Sequence, residues 1–583
     1  MILAVTAEQE LWNVCNNEID GPRNMKKSVA SIVFTCLYLV AVADAADILP
    51  DAGTILHDVD QAAPAAPAQP GTGVQIDQQL KGSDRKTAGS INFTVKSFRI
   101  SGNGRIATKE LLPLIQAYCG DKRSLADIEN AAARITEYYH SRGYLVARAY
   151  IPPQKITNGS IEIAVLEGRY GHTILKNKSA TRDAVLKRFL APARLGEAID
   201  ANRIDRALLL IQDTVQTGSV NGVLRAGGAT GESDFEVSVS RSPRVTGRLE
   251  ADNYGVRVTG RDRIGGSLQI HSPTGRGDRL EAKILTSGHG QDYGRLAYDL
   301  PFGGQGLRLG IGYTESRYRI GEEFSALDAY GRARVWSARA TYPVVRASRF
   351  NLYSDVSYDH KSLDDHMGSI PSDTNKQSDV GAVGLRGDHA DNSGGITTFS
   401  LHLDTGNLRI ETPAAIANDN ATARTNGNYN KLSYGLARYQ PVVGNTVLFM
   451  SLSGQQASKN LDSAEKLSLG GPFGVRAYPV GEAAGDDGYI VNMELRYGLP
   501  RPVMGAKLTL VGFVDAGSIK VNHTPFLVGN NERHLSGSGV GSTLAAPGHI
   551  NVQFTYAWKL GDARAVSDAD RSGRLWLQFE KNF

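Results

Sequence analysis

The residues best placed to do chemistry are one arginine and two carboxylates. Arg476 lies in LGGPFGVRAYPVGEAAGDDGY (469–489), a Gly-rich stretch between two segments of strict apolar/polar alternation. Asp515 lies in KLTLVGFVDAG (507–517), where Leu508, Leu510, Val514 and Ala516 share one face and Thr509, Val511, Phe513, Asp515 and Gly517 the other. Between them, Tyr489, Val491, Met493, Leu495, Tyr497 and Leu499 alternate with Ile490, Asn492, Glu494, Arg496 and Gly498. A carboxylate shielded from water needs a cation, and a planar guanidinium matches it best. The available chemistry is therefore an internal ion pair of Arg476 with Asp515, with Glu494 as the rival acid one strand earlier. Gly517 lets a neighbouring backbone approach closely. Such a pair either holds a loop in place or gates a passage; the residues leave both readings open.

Other chemistry is poorly represented. There is no GxxxxGK[ST] phosphate loop, HExxH zinc pair or GxSxG nucleophile elbow. GGQGLRLGIG (303–312) begins at a turn and continues as a strand, and Asp486-Asp487 reads as a solvated acidic pair on a loop. The histidines show no ligand spacing. Of Cys15, Cys36 and Cys119 only the last follows the predicted mature start, which leaves no internal disulfide and no cysteine zinc cage. No cofactor, no metal and no enzymatic activity are expected. A net charge of +4 over 583 residues argues against a nucleic-acid binder.

Met25-Lys26-Lys27, an apolar run from Val29 to Val42 and Ala43-Asp44-Ala45 make residues 1–45 a signal peptide, with Met25 an alternative true start. Residues 46–90 are an Ala/Pro-rich linker, including APAAPAQPGTG (63–73), in which Ile48 to Gln61 offers a short helix. Residues 91–168 read β-α-α-β-β: INFTVKSFRI, a helix near 108–117, a helix capped by Ser124 and closed by Gly143, then GYLVARAYIPPQ and SIEIAVLEG. The order repeats over 169–243, so two small α+β modules are expected.

From 244 to 583 the helical period ceases. Sixteen candidate strands centre near 250, 266, 282, 296, 311, 336, 354, 383, 400, 435, 450, 492, 512, 541, 554 and 578. Short turns such as SPTG (272–275) and DNSG (391–394) alternate with long polar loops near 317–329, 362–375, 409–428, 458–486, 519–537 and 561–572. Sorting of loops by parity is the pattern of an outer-membrane barrel, and only a closed barrel satisfies strand backbones in lipid. The stretch 458–488 then connects strands 11 and 12 and is long enough to fold inside. In the last strand Leu575, Leu577, Phe579 and Phe583 point outward, and Trp576, Gln578, Glu580 and Asn582 inward.

These features resemble a known family. The two modules, with GYLVARAYIPPQ and IEIAVLEGRYG, are similar to the POTRA modules of the Omp85 superfamily, and their number resembles the two-partner secretion transporters (TpsB group). Val475-Arg476-Ala477-Tyr478 looks like the superfamily's Val-Arg-Gly-Tyr/Phe motif on an inward loop, departing from it at Ala477. Phe513, Asp515 and Gly517 look like its Phe-x-Asp-x-Gly motif on strand 13, and a terminal Phe583 resembles the barrel assembly signal. The resemblance implies a 16-stranded transmembrane barrel behind two periplasmic POTRA modules, contact of Arg476 with Asp515, and an N-terminal helix that often plugs the pore. It also implies a function: binding an unfolded exoprotein with an N-terminal secretion domain and secreting it through the barrel. The remaining partners expected are outer-membrane lipids and the barrel-assembly machinery, around a monomer. The alternatives are an insertase of the same superfamily and, from a different class, a passive diffusion porin.

Overall fold

The computed structural model describes residues 49–60, 75–76, 92–216, 218–369 and 372–583. The expected signal peptide and most of the linker lie outside them. Among the described residues no helix is long and apolar enough to cross a membrane.

Sixteen antiparallel strands close into a barrel. They are β1 (Val245–Asp252), β2 (Arg263–His271), β3 (Arg279–Thr286), β4 (Gln291–Phe302), β5 (Leu307–Arg319) and β6 (Ala329–Arg346). Then come β7 (Phe350–Met367), β8 (Ser372–Ala390), β9 (Ile396–Ile410), β10 (Gly427–Pro441) and β11 (Thr446–Ala457). The last are β12 (Asp487–Gly498), β13 (Lys507–Lys520), β14 (Glu532–Ala546), β15 (Ile550–Lys559) and β16 (Gly573–Asn582). Every strand centre expected from alternation falls inside one of these. The ring closes where β1 pairs β16 from Arg248↔Asn582 to Asp252↔Gln578. Gly247 and Phe583 extend that seam by exchanging two backbone hydrogen bonds of 2.9 Å. The side chains alternate as the sequence requires: Tyr489, Val491, Met493, Leu495 and Tyr497 of β12 are exposed on the outside, and so are Leu575, Leu577 and Phe579 of β16.

The loop anticipated over 362–375 is largely strand, because β7 and β8 stay paired out to Met367↔Ser372. The ladder needs only backbone partners, so it continues past the apolar band with Asp364, Asp365, His366 and Asp373 as its side chains.

Two α+β modules precede the barrel, each with its own core. The first packs helices Thr108–Ile115 and Leu125–Ser141 on a sheet of Ser97–Ser101, Ser160–Leu166 and Arg148–Tyr150. Its second helix starts at a reciprocal cap: Asp127 N–H donates to Ser124 Oγ and Ser124 N–H to Asp127 Oδ2. The second packs Asp183–Phe189 and Ala201–Val215 on Val220–Ala226, Glu232–Val239 and Arg169–Asn177. Gln75–Ile76 of the linker adds a parallel strand to the Val220–Ala226 edge.

The second module is bolted to the short turns of the barrel. Arg346 at the end of β6 donates from Nε and Nη2 to both oxygens of Asp213, each at 2.8 Å, and from Nη1 to Asn351 at 2.9 Å. Ser348 N–H reaches Asp205 at 3.0 Å, and Arg206 reaches the Pro343 carbonyl at 2.8 Å. Gly277 sits at φ +78° in the β2–β3 turn, and a Cβ there would lie 2.3 Å from Thr214 Cγ2. We expect Asp213→Ala to weaken this joint by about 3 kcal/mol, since it leaves a buried guanidinium with Asn351 alone. The check is faster protease release of the modules from a barrel whose heat-modifiable electrophoretic shift is unchanged.

Candidate functional site

The β11–β12 connection folds into the barrel because its tip is apolar. A short hairpin, Leu467–Ser468 with Ala484–Gly485, forms its stem. Beyond it, Val475 N–H donates to the Leu469 carbonyl and Tyr478 N–H to the Val475 carbonyl, at 2.7 and 3.0 Å. Leu469, Val475, Ala477 and Tyr478 are all buried against Ile490, Phe513, Ile519, Leu535 and Ala557 of the inner wall. Full burial of such a side chain is worth about 2 kcal/mol, which is the drive for inward folding.

This seating brings Arg476 to both acids. Asp515, fully buried on β13, accepts from Arg476 Nη2 at 2.7 Å, Nε at 2.9 Å and the backbone N–H at 3.1 Å. Asn492 Nδ2 adds a fourth donor at 2.8 Å and also ties the Gly474 carbonyl at 2.9 Å. Glu494 accepts from Arg476 Nη1 at 2.7 Å and from Arg496 Nε at 2.7 Å. The acid read as a rival is thus a second partner. Phe513 carries the guanidinium on its face, with Cζ 3.6 Å from the ring centroid. The Arg476 carbonyl accepts from Trp576 Nε1 at 2.7 Å, so the last strand is also engaged.

The small residues of the motifs have steric work. A Cβ on Gly517 would lie 2.9 Å from Leu469 and 3.5 Å from Val475. Ala477, where the related motif has glycine, is accommodated by Gly537 of β14, whose Cβ would stand 2.6 Å from that of Ala477. Ala477 is not among the residues with positive φ, so the extra methyl strains nothing.

Sequence reasoning missed three acids, two that hold the rest of the loop and one that ties the barrel seam. Glu482 is fully buried and accepts from Arg533 at 2.6 Å and from Val566 N–H, Ser567 N–H and Ser567 Oγ, each at 2.9 Å. Asp486, read as solvated, is also fully buried and accepts from Leu461 N–H at 3.1 Å and His523 N–H at 2.8 Å. Asp568, in the β15–β16 loop, accepts from Arg261 at 2.6 Å and Arg574 at 2.8 Å, which bridges the closing seam. Burial raises its carboxyl, but hydrogen bonds from Arg574, Ala569 N–H and Arg261 outweigh that and hold it below its ordinary value. The only sequence signal for Glu482 and Asp486 was an acid inside a Gly-rich run.

The lumen beside the loop is filled by the helix Ala52–Asp60. Ala52, Ile55 and Leu56 are buried with Tyr318, Ala333 and Leu363 of the wall. Asp51 accepts from Ser463 Oγ at 2.6 Å and pairs with Lys376 at 3.2 Å, while Lys376 also meets Asp462 at 2.7 Å. Lys431 pairs with the buried Glu465 at 2.6 Å. A Cβ on Gly53 would lie 2.7 Å from Ala464 N, so helix and loop touch backbone to backbone. Phe583 lies on the outside across Gly247, away from these contacts.

A family model described as haemolysin secretion/activation protein ShlB/FhaC/HecB matches residues 231–544, and one described as POTRA domain, ShlB-type, matches 93–168. The heme/hemopexin transporter protein HuxB of Haemophilus influenzae (strain 86-028NP) is 26% identical over 545 residues, 92% of this chain and 95% of its own. The outer membrane transporter CdiB of Dickeya dadantii is 24% identical over 490 residues, 80% of this chain and 83% of its own. The solved structure of CdiB from Escherichia coli superposes with a TM-score of 0.70 at 20% identity, over 86% of this chain and 92% of that one.

The unequal donor sets give a ranking. Asp515→Ala strands Arg476 with Glu494 and is expected to remove about 3–5 kcal/mol of local stability. Glu494→Ala leaves every Asp515 contact in place and is expected to cost less. Thermal loss of the heat-modifiable barrel form measures both, and the reverse order would show that Glu494 is the principal anchor.

Proposed function

The chain belongs to the haemolysin secretion/activation family ShlB/FhaC/HecB, outer-membrane barrels that transport exoproteins and carry periplasmic POTRA modules; from that premise we propose that it secretes one partner exoprotein, bound unfolded by its two modules and threaded through the barrel. The observation that carries the reading is continuity: the second module is fixed to the barrel mouth by Asp213, Asp205 and Arg206, directly beneath a lumen filled by a helix and a loop. An extended client needs backbone partners in the periplasm, and a module edge supplies them by strand addition. The Val220–Ala226 edge already holds Gln75–Ile76, which a client strand would have to displace. Folding of the client outside the cell supplies the drive. Arg476, Asp515 and Glu494 hold the loop in its resting seat, and Val475, Ala477, Tyr478, Phe513 and Gly517 shape that seat. Phe583 closes the seam during insertion by the barrel-assembly machinery. The transporter works as a monomer among outer-membrane lipids, on an exoprotein bearing an N-terminal secretion domain.

An insertase or a porin would make different demands. A porin needs neither modules nor a lumenal loop, and sixteen strands with an empty interior would leave an aqueous channel. The test is co-expression with the signal-bearing β-helical exoprotein expected to be encoded beside this chain. Removal of residues 91–243, Arg476→Ala and Asp515→Ala should each cut its appearance outside the cell at least about tenfold with the barrel still inserted, a loss of about 1.4 kcal/mol or more in the limiting step. Undiminished export from all three overturns the proposal.

A further inference from the structure

We propose that the outer wall of β4–β7, above the aromatic belt, binds the phosphate-bearing saccharide headgroup of an outer-leaflet lipid. The wall there contains a cavity of about 480 Å³ lined by Arg317, Arg319, Arg332, Tyr330 and two carboxylates, Asp292 and Asp364, among others. Alternation puts these arginines outside: Tyr330, Arg332, Arg334 and Trp336 alternate with the buried Ala329, Gly331, Ala333 and Val335. Across the ladder Tyr313 faces Trp336, Arg317 faces Arg332, and Arg319 faces Tyr330.

The height of the cavity identifies the ligand. Trp336 is 63% exposed and its ring centroid stands 4.7 Å from that of Tyr313, the arrangement of an interfacial aromatic belt. Arg317 and Arg332 lie four residues further along their strands, about 10 Å higher at the usual rise and tilt. A phospholipid headgroup layer is only about 5–8 Å deep, so these guanidiniums stand above it, at the level of a larger saccharide headgroup.

The acids of the patch orient the arginines. Glu315 accepts from Arg317 Nε at 2.7 Å and lies 3.7 Å from Arg332. Asp328 accepts from Arg319 at 2.6 Å, Asp364 accepts from Arg334 at 2.8 Å, and Asp373 pairs with His366 at 2.8 Å. Arg319 also lies over Tyr330, 5.2 Å from its centroid. A guanidinium has five N–H donors, and the side chains of Arg317 and Arg319 remain 61% exposed, so donors are left for phosphate oxygens.

The test uses the full chain in detergent and the variant Arg317→Gln/Arg319→Gln/Arg332→Gln, none of which touches the lumenal site. Native mass spectrometry titrates bisphosphorylated lipid A, dephosphorylated lipid A and phosphatidylglycerol. The expected result is lipid A binding about tenfold weaker in the variant, with phosphatidylglycerol unchanged. Equal lipid A affinity in variant and wild type, or a parallel loss of phosphatidylglycerol, overturns the proposal. Should the variant fail to insert, the wild type still decides: dephosphorylated lipid A binding as tightly as the phosphorylated form also overturns it.

Discussion

The interior of this barrel depends on where one guanidinium charge is neutralised. Arg476 is nearly buried in its seat, with only 9% of its side chain exposed, so its loop stays inside only where carboxylates already wait on the wall. Asp515 and Glu494 stand on adjacent strands, Asp515 opposite Asn492 in register, and together they accept from Nε, Nη1 and Nη2 of the Arg476 fork. The ring of Phe513 closes its face. A lysine would satisfy the charge but not this planar arrangement of donors.

From that anchor the other lumenal contacts follow. With the tip fixed, the loop returns past Glu482 and Asp486, which collect donors from the β13–β14 and β15–β16 loops and from Arg533 of β14. Its outgoing limb presents Asp462, Ser463 and Glu465 to the helix Ala52–Asp60 and to Lys361, Lys376 and Lys431 of the wall. Helix, loop and wall thus share one polar network. Disturbing the Arg476 seat would move the surface on which the helix rests.

Strand number, strand centres and the faces of β12, β13 and β16 were legible because a barrel imposes a period of two wherever one side meets lipid. The inward side of Asp515 and Glu494 followed from the same period. Beyond the lipid the period loses its apolar partner, which is why the β7–β8 hairpin read as loop although its ladder continues. The burial of Glu482 and Asp486 was not legible, since loop residues acquire their partners from strands far away in sequence. That Arg476 has two acids rather than one was hidden for a related reason: alternation assigns a side, and only register places Asp515 opposite Asn492, beside Glu494. Gly537, which makes room for Ala477, carried no signal of its own.

The two fillings of the lumen are held by different physics. The loop tip buries four apolar side chains around a fully buried carboxylate, and withdrawing it exposes that surface. The helix buries Ala52, Ile55 and Leu56, and much of its remaining hold is ionic and hydroxyl contacts of Asp51. Ion pairs exchanged for water come close to breaking even, whereas apolar surface does not. Of the two, the helix is therefore the less costly to remove. An interior that must be closed at rest and yet admit a chain is better served by one firm and one exchangeable filling than by two firm ones.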